Sequence, residues 1–176
     1  YDRLLEFNPE DGRIEPGLAS SWLVSEDGLK YTFQLRRNVA FHDTDYFTPT
    51  RTFNADDVIF SIDRWRLASH PYHEVNGGSY PYFESLSLKE TIKEVTRVNG
   101  YRVEITLYKS DSSFLANLAT DFAVMLSQEY AESLLLQGTP SRIDYFPIGT
   151  GPFKFVNYKQ NHYIRYVRHN NYFLPT

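Results

Sequence analysis

SWLVSEDGLKYTFQLRRNVAFHD, residues 21–43, and FTPTRTFNADDVIFSIDR, residues 47–64, carry the pattern on which the fold turns. In the first stretch, Tyr31, Phe33 and Leu35 alternate with Thr32, Gln34 and Arg36, the period-two signature of a strand with one buried face. Glu26-Asp27-Gly28 before it supplies turn chemistry: a carboxylate that bonds nearby N–H groups, and a glycine free to take positive φ. In the second stretch, Asn54 stands where a helix cap would, and Asp56 and Asp57 fall in the first turn, where the helix dipole favours negative charge. Val58, Ile59, Ile62 and Trp65 then follow as an apolar stripe. The unit predicted is a strand, a loop and a capped helix.

Reading outward, residues 8–17 are polar and turn-rich, and residues 18–22 read as a short helical turn. The Asn54 helix is expected to end near Ala68, ahead of Pro71. Residues 70–87, rich in Tyr, Gly and Pro, read as an ordered excursion anchored by Tyr72, Tyr80, Tyr82 and Phe83. Leu88, Ile92 and Val95 fit helical spacing. Asn99-Gly100, followed by alternating Tyr101, Val103, Ile105 and Leu107, favours instead a β-hairpin over residues 92–107, after one helical turn at 86–89. Asp111 or Ser112 is expected to cap a helix carrying Phe114, Leu115, Leu118 and Phe122. A second helix is expected to run from Ser127 to Gly138, with Pro140 behind it. Residues 153–156 and 163–167 read as strands joined by the polar turn 159–162. The fold class expected is α+β, mostly antiparallel sheet with a few packed helices around one core.

Composition narrows the function classes. The 176 residues are 41% hydrophobic and 23% charged, as in an ordinary globular chain. A formal net charge of −4 argues against a nucleic-acid partner held by phosphate neutralisation. With no cysteine, disulfides and thiolate catalysis are excluded. No apolar run approaches the roughly 18 residues that span a bilayer, so no membrane insertion of this segment is expected. Fourteen Tyr and thirteen Phe stock a core, and also suit a recognition surface, since a tyrosine ring buries area while its hydroxyl stays bonded.

Chemistry-bearing residues are present without a catalytic arrangement. His70 and His73 are three apart, but Pro71 interrupts any helix that would bring them to one face, and His42 beside Asp43 lacks a further ligand fixed by spacing. No metal site is expected, and these histidines read as hydrogen-bonding groups. Asp56 and Asp57, adjacent on a helix, point to different sides and cannot share a substrate. Gly149-Thr150-Gly151 has the composition of a phosphate loop but lacks the longer glycine spacing and a following Lys-Ser/Thr, and reads as a tight reversal using glycine dihedrals. No nucleophile elbow occurs, so no enzyme is expected.

Beyond pattern, the wording of these stretches closely resembles the extracytoplasmic solute-binding proteins of peptide ABC transporters, the family of the oligopeptide- and dipeptide-binding proteins (bacterial extracellular solute-binding protein family 5). The resemblance continues in HPYHEVNGGSYPYFE, residues 70–84, and PIGTGPFKF, residues 147–155, and covers nearly the whole chain. TPTRTFNADDVIFS, residues 48–61, and GGSYPYFE, residues 77–84, look most like the dipeptide-binding and Sap-type branch.

The resemblance implies a fragment of a longer, two-lobed periplasmic carrier with the class II binding-protein fold. Residues 1–17 and 147–176 would be edges shared with the first lobe, and 18–146 an inserted, lobe-supporting subdomain. It further implies a peptide ligand, an ABC permease in the inner membrane as partner, no resident cofactor, and haem as an alternative ligand. The charged groups that fix peptide termini in such relatives would lie outside this chain. Gly149, Thr150 and Gly151, where the chain re-enters the first lobe, are the candidates for approaching the ligand cleft. Tyr72, Tyr80 and Tyr82 are the candidates for an alternative role, docking a protein partner.

Overall fold

Antiparallel pairing organises the chain from its first residues. In the computed structural model, which describes residues 1–75 and 77–174, β1 (Leu5–Phe7) and β2 (Ile14–Pro16) form a short hairpin. β3 (Ala19–Val24) and β4 (Lys30–Leu35) form a second, across the turn anticipated at Glu26-Asp27-Gly28. There the Asp27 carboxylate accepts from Leu29 N at 3.0 Å and Gly28 takes φ +68°. Helix α1 (Ala55–Arg66) follows, then the short helices α2 (Pro81–Ser85) and α3 (Leu88–Thr91). β5 (Ile92–Asn99) and β6 (Arg102–Leu107) are the Asn99-Gly100 hairpin. Helices α4 (Phe114–Leu118) and α5 (Gln128–Leu136), a 3-10 turn at Pro140–Asp144, and the hairpin β7 (Phe153–Lys159) and β8 (Tyr163–Arg168) complete the α+β fold.

The central sheet has the order β3-β4-β6-β5, antiparallel throughout. Its alternation works as the sequence implies. Tyr31 pairs with Ile105 and Phe33 with Val103, all buried, while Thr32 and Gln34 face the polar Glu104 and Arg102. Helix α1 closes the apolar face, its Val58, Ile62 and Trp65 joining the same core. Phe60, outside the stripe, is also buried, against His70 and Tyr72, so α1 is covered on a second side by the excursion. Burial of each such side chain contributes about 1.5–3 kcal/mol.

Two expectations fail locally. Residues 18–22 form no helical turn: they enter β3, where Trp22 pairs with Phe33 and Leu23 with Thr32. The hairpin turn at 25–29 delivers the chain beside β4, and ladder bonding outweighs weak local helix propensity. The helix carrying Phe114 ends at Leu118, one and a half turns long, with Ser113 as its N-terminal flank and no side-chain cap. Asp111 instead bonds Ser113 N at 2.9 Å, and the Thr120 hydroxyl bonds back to Asn117 O at 2.6 Å, competing with helix continuation. Phe122 therefore lies outside the helix. The second helix runs as expected, with Ser127 accepting from Tyr130 N at 3.1 Å and Gly138 beyond its end at φ +68°.

Candidate functional site

Gly149, Thr150 and Gly151 lie where the chain returns from the 3-10 turn toward β7, and all three are buried. The glycines do not sit at positive φ, so the expectation of glycine dihedrals is corrected. Their requirement is closeness. A Cβ at Gly149 would stand 2.7 Å from Tyr1 Cδ1, and one at Gly151 2.8 Å from Tyr1 N. Between them, the fully buried Thr150 hydroxyl donates to Asp2 Oδ2 at 2.6 Å, and Tyr172 donates to Asp2 Oδ1 at 3.2 Å. The first residues, the return segment and the last described residues are thus tied at one buried carboxylate.

The other side of the return segment is held by imidazoles. His42 Nε2 bonds Gly151 O at 2.8 Å while its Nδ1 accepts from Gly149 N at 3.3 Å. That pairing defines a neutral ring protonated at Nε2. Burial pulls its pKa down to about 4, a direction reinforced by the neighbouring His169. His169 Nδ1 reaches the same Gly151 O at 3.1 Å, with the two rings edge to face at 4.9 Å. Beside this joint opens a cavity of about 190 Å³ lined by Tyr1, Phe153, Phe155 and Tyr166 together with Gly149 and His42. Aromatic walls with a few fixed polar groups are what a small-molecule or peptide side-chain pocket requires.

The tyrosine-rich excursion divides its three candidates. Tyr72 is fully buried, its hydroxyl donating to Ala131 O at 2.7 Å, with its pKa pushed up to about 12 by burial. Tyr80 is half-buried and donates to His73 O at 3.0 Å, beneath the Arg64 guanidinium. Tyr82 is 66% exposed and stacks on Phe122 at 5.3 Å. Direct contact with a partner is therefore open chiefly to Tyr82, while Tyr72 supports the excursion from inside. His70 and His73 serve backbone groups, His70 Nδ1 accepting from Tyr72 N and His73 Nδ1 bonding Arg64 O at 2.9 Å. Among the described residues no group of three or more His, Asp or Glu side chains is arranged to hold a metal.

Asp57 has a larger role than its first-turn position suggested. It is fully buried and accepts from Asn54 N at 2.9 Å, from both Arg51 guanidinium nitrogens at 2.7 and 2.8 Å, and from Gln128 N at 2.9 Å. One carboxylate thus caps α1 and binds the start of α5. The Asn54-x-x-Asp57 spacing of a capping box was the available signal. For Asp2 and His42 no local pattern exists, because their partners lie more than a hundred residues away, and His169 meets Gly151 only across the β7–β8 hairpin.

Comparison with known proteins identifies the family. A family model described as bacterial extracellular solute-binding proteins, family 5 middle, matches residues 13–175. Heme-binding protein A of Haemophilus influenzae is 52% identical over 172 residues, covering 98% of this chain and 31% of that protein. The dipeptide-binding protein of Escherichia coli K12 is 49% identical over 172 residues, covering 98% of this chain and 32% of that protein. Among solved structures, the dipeptide-binding protein from Pseudoalteromonas sp. SM9913, in complex with Met-Leu, superposes with a TM-score of 0.96 at 44% identity, over 98% of this chain and 34% of that one. The chain spans about a third of the length of these relatives. With the family model matched over nearly the whole length and the same architecture in a solved relative, the chain belongs to the bacterial extracellular solute-binding proteins of family 5.

Proposed function

We propose that the protein containing this chain is the substrate-capturing component of an ABC peptide importer, which takes up peptides in the periplasm and delivers them to the membrane permease. The observation that carries this reading is the 49% identity to a dipeptide-binding protein across 98% of the chain. Near-superposition on a relative holding Met-Leu supports it. The protein works by binding and release.

Within that carrier, residues 18–146 act as an inserted supporting subdomain and residues 1–17 and 147–176 as edges of the first lobe. The β7–β8 hairpin supports the division: Phe153, Ile164 and Tyr166 are 62%, 55% and 54% exposed on a two-stranded sheet, surface that further chain would cover. Gly149 to Gly151 and the aromatic cavity beside them stand at the cleft side of that lobe. Tyr82 is the residue best placed to touch a protein partner such as the permease.

A second reading, haem as ligand, is favoured by the 52% identity to a heme-binding protein. Calorimetric titration of a dipeptide set, a tetrapeptide set and haem into the full-length protein tests both. Saturable binding of peptides with no haem absorbance band supports the importer reading. Haem binding without peptide binding replaces it, and binding of neither overturns both.

A further inference from the structure

The His42 and His169 joint has a property that peptide capture does not require. Four separate segments meet there: the first two residues, the loop at 41–44, the return at 148–152 and the exit at 169–172. The backbone closes it, with His42 N donating to Gly149 O at 2.8 Å and His169 N to Pro152 O at 2.7 Å. Tyr172 N adds a bond to His169 O at 3.1 Å. At the centre is one acceptor, Gly151 O, shared by two imidazoles.

The arrangement accepts only an uncharged His42 ring. A proton added at His42 Nδ1 would point at the Gly149 N–H that now donates to it, turning a bond into a donor-donor clash. The charged groups facing His42 make this worse. His169 and Lys154 both disfavour a positive charge on it, and Lys154 is held close by donating to Asp43 O at 2.6 Å. The carboxylates near these segments are committed elsewhere: Asp2 to Thr150 and Tyr172, and Asp43 to Thr48 at 3.0 Å. Both rings are almost wholly buried, so water offers a new charge little relief.

We propose that His42, packed against His169, is an acid-sensitive latch, which releases the return segment 149–152 and the exit segment 169–172 when His42 takes up a proton. Opening exposes the His42 ring, so it draws in a proton and becomes more favourable as the pH falls below the ordinary histidine range. The central four-stranded sheet shares no bond with Gly151 O and stays closed.

Hydrogen exchange of the full-length protein at pH 7.5 and pH 4.5, corrected for intrinsic rates, tests this in the wild type, His42→Gln and His169→Gln. The expected result is at least a tenfold loss of protection in wild-type peptides covering 149–152 and 169–172, with β4 and β6 unchanged. In His42→Gln, whose amide donates at a similar reach and does not titrate, the loss should be under twofold. An unchanged wild type, or the same loss in both substituted proteins, overturns the latch. Should His42→Gln fail to fold, histidine NMR of the wild type replaces it. A His42 midpoint below pH 5 that coincides with the loss of protection supports the latch, and a loss that does not follow that resonance overturns it.

Discussion

Two buried polar knots hold this chain, and they solve the same problem in opposite ways. At the start of α1, Asp57 is kept as an ion: the Arg51 guanidinium and two backbone N–H groups converge on it. At the return segment, His42 is kept neutral, with one ring nitrogen donating and the other accepting. A buried charge is sustainable where a cation and donors surround it, whereas a buried imidazole that must accept from a backbone N–H, with Lys154 nearby, stays uncharged. The first knot therefore fails when a partner is removed, and the second when a proton is added.

Breaking the first knot is expected to have the largest effect. Asp57→Ala leaves the N–H groups of Asn54 and Gln128 without their acceptor and Arg51 without its counter-charge. The loss should be about 3–5 kcal/mol, read as a lower urea midpoint for the full-length protein. Asp57→Asn should recover only part of it, because an amide accepts through one oxygen. A loss under 1 kcal/mol would mean that water or rearrangement replaces the carboxylate, and the contrast between the knots would dissolve.

Next comes acid acting on the second knot. The folded pKa of His42, about 4, lies below the ordinary value near 6.5, so unfolding takes up a proton between the two. The neutral ring's contribution is complete above pH 6.5 and is lost as the pH falls toward 4, at most about 3 kcal/mol. Urea unfolding of the full-length protein at pH 7.5 and 4.5 should show the wild type losing more stability than His42→Gln. Equal losses would assign the acid effect to carboxylates alone.

The two knots also differ in how legible they were. The capped helix, the turn at Gly28 and the Asn99-Gly100 hairpin were readable because their signals lie within a few residues. The Asp57 knot was half readable, since Asn54-x-x-Asp57 is a local spacing while Arg51 and Gln128 join it through loop path and tertiary packing. The His42 knot was not readable. Its partners Gly149, Gly151 and His169 are brought together only by the folded topology, and a lone histidine beside an aspartate resembles many surface residues. The same reason explains the misread strand at 19–24, whose identity depends on pairing with β4 rather than on its own residues. Tyr72 and Tyr82, alike in composition and ten residues apart, end at opposite extremes of burial for the same reason.

The smallest expected effects sharpen the second knot from its other side, through the glycines that let Tyr1 approach. At Gly151 the added Cβ of an alanine meets the Tyr1 backbone nitrogen at 2.8 Å, a group held in place by the neighbouring Asp2 bonds, so the segments must separate. Overpacking of this kind costs about 1–3 kcal/mol. At Gly149 the nearest atom, at 2.7 Å, belongs to the Tyr1 ring, which borders a cavity and can swing into it, leaving the Tyr1 Cα at 3.2 Å as the tightest backbone contact. Gly149→Ala should therefore cost less than Gly151→Ala, by about 1 kcal/mol. Urea midpoints of the two variants, measured at pH 7.5 where His42 is neutral, decide the order. If Gly149→Ala is the more damaging, the Tyr1 ring is fixed and the cavity wall is a rigid part of the joint. If Gly151→Ala is, the rigid element is the backbone junction that His42 and His169 grip.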